Sequence, residues 1–253
     1  MRKLNHNLEK LLTKNKTLFL AYDQGLEHGP TDFNDKNVDP RSIINIAKKG
    51  KFNALIFHKG IAEKYRKEIK ESKIPLILKL NGKTNLREGD PISMQLATVE
   101  EAIKLNAIAV GYTVYIGSKH EPIMLREFER IQKEAHKNNL PVILWIYPRG
   151  KSIKGRNKSK LMAYACRVGL EIGADIVKVK YEGTPRDLAW AVKSAGKTKV
   201  VIAGGTKKNE KELLKQVSEI MKSGAIGLAI GRNIWQNKDP VKITNKIRKM
   251  VWR

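Results

Sequence analysis

One pattern constrains this chain above all others. Short apolar runs rich in β-branched residues recur eight times, mostly with helix-like stretches between them. The runs are Thr17–Tyr22, Ala54–Phe57, Pro75–Leu80, Ala107–Gly111, Pro141–Ile146, Ile176–Val179, Val200–Ala203 and Gly227–Ile230. Being apolar on both faces, they read as strands covered from two sides, as in a parallel sheet. Between them, sets such as Leu213, Leu214, Val217 and Met221 recur at helical spacing. Alternating strands and helices predict an α/β fold, and eight such units predict a closed (β/α)₈ TIM barrel rather than an open doubly wound sheet. The 253 residues match the size of one such barrel. No linker or low-complexity tract divides them, so residues 1–253 are expected to form a single domain. Leu4, Leu8, Leu11 and Leu12 fall on one helical face and predict an extra N-terminal helix, suited to cover the barrel floor.

In a barrel of this kind the reacting groups come from the C-terminal ends of the strands. Reading those ends gives Asp23, Lys79, Tyr112, Trp145, Tyr147, Lys178, Lys180, Gly204–Gly205 and Gly231–Arg232. Five histidines and one cysteine in the whole chain leave little basis for metal or thiol chemistry. No cofactor is expected. Side chains alternate along a strand, so Val177 and Val179 share the helix-facing side while Lys178 and Lys180 point into the barrel. A buried lysine tends to lose its proton, and a second ammonium nearby pushes the same way. A neutral amine in a pocket is what attack on a ketone requires, giving a Schiff base. The competing reading is that both lysines reach solvent or a phosphate.

Gly204-Gly-Thr-Lys-Lys208 follows the seventh run and is read as opening a helix; Gly231-Arg-Asn233 follows the eighth. Glycine turns at these two strands are where barrels commonly bind phosphate, and Arg232 adds a charge-assisted contact. Arg149–Lys160 carries six basic residues and no acid on the same face, either a solvated loop or a clamp on a distal phosphate. His28 either assists proton transfer, binds phosphate or structures its loop. Cys166, between Ala165 and Arg167 in a helical stretch, reads as structural. Fifty basic against 25 acidic residues leave a net charge of +25, which attracts polyanions without choosing among them.

The segments Ala21-Tyr-Asp-Gln-Gly-Leu-Glu-His-Gly-Pro30, Leu78-Lys-Leu-Asn-Gly82, Trp145-Ile-Tyr-Pro-Arg-Gly150, Val177-Lys-Val-Lys-Tyr181 and Ala229-Ile-Gly-Arg-Asn-Ile-Trp-Gln236 resemble the archaeal-type class I fructose-1,6-bisphosphate aldolases. These are Schiff-base barrel enzymes related to deoxyribose-phosphate aldolase, and the resemblance covers nearly the whole chain. It implies that Lys178 forms the iminium, Tyr147 transfers protons, Asp23 acts as acid, base or orienting group, and Trp145 packs beside the substrate. Gly204, Gly205, Gly231 and Arg232 fall on the family's phosphate positions. Gln24 stands where the family often has His, and Ala203 where it often has Ser. The resemblance also implies a homo-oligomer.

A phosphorylated sugar is therefore the expected partner. A related branch that builds an aminodideoxyheptulosonate is the alternative enzyme reading. Nucleic acid is not expected, since aromatics total only 6% and no RNA-binding module is visible. The longest apolar runs are too short for a membrane helix, no signal-peptide pattern is seen, and the single cysteine suits a reducing, cytoplasmic setting.

Overall fold

The structure, a computed structural model, describes residues 2–253. Eight parallel strands close into a barrel: Thr17–Ala21, Ala54–His58, Leu76–Lys79, Ala109–Ile116, Val142–Pro148, Ile176–Lys180, Lys199–Ala203 and Gly227–Ile230. Each pairs with its neighbours in chain order, and the first closes on the eighth from Thr17↔Gly227 to Leu20↔Ile230. That seam needs a glycine, because Gly227 has φ +151° and a Cβ there would meet the Thr17 carbonyl oxygen at 1.8 Å. The predicted TIM barrel is the observed fold.

Strand alternation sorts the core into two layers. Phe19, Ile56, Ile77, Ala109, Ile143, Ile176 and Val201 fill the barrel interior, closed from below by Leu11. Leu11 follows the helix Arg2–Lys10, whose Leu8 packs against the same cluster, so the N-terminal helix covers the floor as expected. Outward residues such as Leu20, Leu55, Val110, Leu144 and Val177 pack with Phe128, Ile131, Val217 and Ile247 of the surrounding helices. Burying each such side chain contributes about 1.5–3 kcal/mol.

Helix starts are fixed by side chains that satisfy the free N–H groups of the first turn. Thr98 and Thr184 form capping boxes with Glu101 and Asp187, while Asn157, Asn209 and Asp239 each cap a later helix. The caps fix where each loop ends, and because all eight strands are parallel their C-terminal ends open at one mouth. The loop after the third strand adds a two-residue antiparallel pair, Asn81–Gly82 with Met94–Gln95. Among the described residues, no helix is long and apolar enough to cross a membrane.

Candidate active site

The strand ends open into a cavity of about 1110 Å³. Lys178 lines it from the sixth strand, in register with Trp145 on the fifth, and is only 5% exposed. Its Nζ lies 4.6 Å from the centroid of the Trp145 ring, and Lys79 Nζ lies 5.4 Å from the same ring. The indole fits because residue 111 has no side chain; a Cβ there would come within 2.3 Å of it. Two buried amines therefore lie against the same indole in the cavity.

Burial drives Lys178 down from the ordinary lysine range, against the pull of Asp23 and Glu27. Burial also takes Lys79 down to about 7, with Asp23 opposing the shift and Lys178 reinforcing it. Burial alone would raise Asp23, but Lys178, Lys79 and His58 outweigh it and hold the carboxyl below its usual range. His58 is pushed down to about 4 by burial and by Lys79, so it is neutral at pH 7. Its Nε2 lies 3.0 Å from the Asp23 carbonyl oxygen and, in the neutral ring, donates to it. One carboxylate, one ammonium and one free amine is the charge-balanced state of this cluster.

Tyr147 also lines the cavity, and burial, then Asp23, raise its hydroxyl well above the ordinary value, so it keeps its proton at neutral pH. The Arg149 guanidinium lies 5.5 Å from the Tyr147 ring and 5.2 Å from the Tyr115 ring. Arg149 Nη1 donates to Glu27 Oε1 at 2.7 Å, and Lys83 Nζ stands 3.7 Å from that oxygen. Loops one, three and five are thus tied together beside Tyr147. Asp90 adds a second tie, accepting from the Lys119 and Lys151 backbone N–H groups at 2.8 and 3.0 Å.

On the opposite rim, Gly204, Gly205, Gly231 and Arg232 meet as the sequence suggests. Gly205 has φ +69° and open space around it, while a Cβ on Gly231 would strike the Ala21 carbonyl oxygen at 2.6 Å. Asn233 staples the two turns: its Nδ2 donates to the Gly204 and Thr206 carbonyls, and its Oδ1 accepts from Lys208 N at 2.7 Å. Arg232 is held 3.5 Å from Asp32, whose other oxygen lies 2.6 Å from His28 Nδ1.

Three expectations are corrected. Lys180 does not share the barrel interior with Lys178; it sits at the rim, 60% exposed in its side chain, with its Nζ 2.7 Å from Glu182. Two residues further along a strand is roughly 6–7 Å, enough to leave the barrel. The second amine near Lys178 is Lys79. Tyr112 faces the helices, its ring tilted against Phe128 and its hydroxyl bonded to Glu127, because the fourth strand runs on to Ile116 and its inward positions are Gly111, Thr113 and Tyr115. The Gly204–Gly205 turn does not open a helix; the helix begins at Glu210 under the Asn209 cap. Sequence reasoning missed His58, Asn81, Tyr115 and Asn233. A polar residue directly after an apolar strand run was the available signal for His58.

The DeoC/LacD family aldolase pattern matches residues 17–237, and the fructose-bisphosphate aldolase class 1 of Thermoproteus tenax is 46% identical over 242 residues, 94% of this chain and 90% of that one. The chain belongs to the DeoC/LacD aldolase family. Among solved structures, an archaeal fructose-1,6-bisphosphate aldolase with its catalytic Lys covalently bound to the carbinolamine intermediate of the substrate superposes with TM-score 0.93. It is 42% identical and the match covers 99% of this chain and 100% of that one. A Methanocaldococcus jannaschii fructose-bisphosphate aldolase/6-deoxy-5-ketofructose 1-phosphate synthase is 38% identical over 249 residues, covering 92% of this chain and 80% of that protein. Within this aldolase barrel two lysines are buried, Lys79 and Lys178, and Lys178 is the one left without a hydrogen bond among the described residues.

Proposed function

We propose that this protein is a class I, Schiff-base aldolase that reversibly cleaves fructose 1,6-bisphosphate to dihydroxyacetone phosphate and glyceraldehyde 3-phosphate. One observation carries the reading: a buried, unbonded lysine amine at the mouth of an aldolase-family barrel, facing a carboxylate and a protonated tyrosine. Neutral Lys178 attacks the C2 ketone to form a carbinolamine, and loss of water gives the iminium, an electron sink. The C3–C4 bond breaks as the C4 hydroxyl gives up its proton, for which ionised Asp23 is the acceptor. The electrons end in an enamine and glyceraldehyde 3-phosphate leaves. Tyr147 gives a proton to the enamine carbon and is made good by the proton Asp23 took from the C4 hydroxyl; water then adds to the iminium, releasing dihydroxyacetone phosphate and freeing Lys178.

The substrate's two phosphates need two cationic ends. The Gly204–Gly205 and Gly231–Arg232 turns suit one, and Arg149 with the Lys151–Lys158 segment suits the other, placing the ketone over Lys178 between them. His28 orients Asp32 and through it Arg232, and Lys180 stays at the rim. The 46% identity to a fructose-bisphosphate aldolase favours this substrate over the aminodideoxyheptulosonate branch.

We read residues 1–253 as one cytoplasmic catalytic domain that assembles with copies of itself. The free, buried Cys166 thiol suits a reducing compartment. Tyr164 and Trp190, 63% and 60% exposed on neighbouring helices, offer a surface for a second copy. Borohydride reduction in the presence of fructose 1,6-bisphosphate tests the chemistry. The adduct is expected on Lys178, and Lys178→Ala is expected to abolish cleavage. An adduct on Lys79 or Lys180, with Lys178→Ala still active, would overturn the assignment.

A further inference from the structure

Two lysines share this cavity, and the proposed reaction requires that only one be a free amine. Asn81 is fully buried, and each of its side-chain groups is committed. Its Nδ2 donates to the Ser93 and Thr113 carbonyls at 3.0 and 2.8 Å. Its Oδ1 accepts from Thr113 N at 2.7 Å and from Lys79 Nζ at 2.6 Å. The backbone oxygen of Asn81 accepts a further bond from Lys79 Nζ at 2.7 Å. The two carbonyl partners fix the amide's orientation, because a flipped Asn81 would face an NH₂ group against both the ammonium and the Thr113 N–H. Lys79 therefore meets two fixed oxygens, whereas Lys178 meets none among the described residues.

We infer that Asn81 is a positioning residue that decides which amine carries the charge, holding the ammonium on Lys79 and leaving Lys178 as the nucleophile. The inference rests on the reading of Lys178 as the Schiff-base lysine. The surrounding charges fit it. Glu27 is already engaged by Arg149 and Lys83, His58 is neutral, and Tyr115 and Tyr147 keep their protons. Asp23 is left as the one carboxylate facing two amines, so one positive charge is favoured and two are not. A bond to a charged group is stronger than one between neutral groups, so the amine with acceptors takes the proton.

The test needs no substrate. Competitive acetylation with acetic anhydride reads each lysine separately, since only the neutral amine reacts, and peptide mass spectrometry gives a midpoint pH for Lys178 and for Lys79. In the wild type the Lys178 midpoint is expected below that of Lys79. Asn81→Ala removes one acceptor from Lys79, so charge spreads to Lys178 and its midpoint rises by on the order of one pH unit. Lys79→Met leaves Lys178 as the nearest cation for Asp23 and raises its midpoint as well. Because Asn81 acts through Lys79, the double variant is expected to match Lys79→Met alone. A Lys178 midpoint unmoved in Asn81→Ala, or a wild-type order with Lys79 lower, overturns the inference. If Asn81→Ala fails to fold, Asn81→Asp keeps an oxygen against Lys79 and is expected to raise the Lys79 midpoint by more than that of Lys178; a Lys79 midpoint left in place overturns it equally. Loss of cleavage activity bears on the proposed reaction and leaves these midpoints readable.

Discussion

Tyr147 shows how one hydroxyl can be tested without disturbing its surroundings. Phenylalanine keeps the ring against Arg149 and removes only the proton that burial and Asp23 hold in place. Tyr147→Phe is expected to lower kcat by about 10²–10⁴-fold with little change in substrate binding, as is usual for loss of a general acid. Steady-state kinetics with fructose 1,6-bisphosphate check it, and full activity would pass the proton to another group. Asp23→Asn makes a complementary case. With the carboxylate gone, both amines lose the anion that favours their charged forms, so Lys178 remains a free amine while the acceptor for the C4 proton is lost. Borohydride trapping is expected to survive and cleavage to fall, measured on the same preparation. At this scale alternation alone made Lys178 readable, because Val177 and Val179 are plainly outward residues. It could not give depth along the strand, and so Lys180 was placed inside when it stands at the rim.

Among the elements, the fifth strand depends on a gap in the fourth. Gly111 and Trp145 face the same interior, and the indole occupies the space a side chain on residue 111 would need. Gly111→Ala forces the ring or the strand to move, at a cost of about 1–3 kcal/mol for overpacking, and shifts the surface on which both lysines rest. A lowered denaturant midpoint, with kcat reduced more than stability alone explains, is the expected outcome; unchanged kcat would mean that Trp145 does not place the amines. The eight strands were legible because buried parallel strands are continuous apolar runs. Their ends were less so. Glycine and tyrosine at residues 111 and 112 looked like a strand terminus, and stopping there turned Tyr112 toward the cavity. The strand in fact continues for four residues beyond Tyr112, which fixes Tyr112 on the helix side. Asn81 lay past the end of its strand, in a two-residue pairing with Met94–Gln95 that no local pattern announces.

For the molecule as a whole, the excess charge of +25 acquires a location only in three dimensions. Lys83, Arg149, Lys151, Lys154, Arg156 and Lys158 all border the cavity; of the acids that line it, Glu27, Asp90 and Glu182 are already bonded or paired at the rim, and Asp23 faces the two buried lysines. A doubly phosphorylated substrate approaching that rim is drawn toward the mouth. Steering of this kind raises association by 10- to 10³-fold at low salt and is screened beyond a Debye length of about 8 Å at physiological ionic strength. Hence kcat/KM is expected to fall with added salt by roughly tenfold while kcat changes little, since chemistry at Lys178 is shielded from solvent. Arg232 differs from the loop lysines because it borders the glycine turns directly, so Arg232→Ala is expected to raise KM more than neutralising Lys151, Lys154 and Lys158 together. The triple loop variant is instead expected to flatten the dependence of kcat/KM on salt. Stopped-flow or coupled-assay kinetics across a salt series separate the two effects. A salt response identical to wild type after all three lysines are neutralised would return the Lys151–Lys158 segment to a solvated surface with no part in capturing substrate.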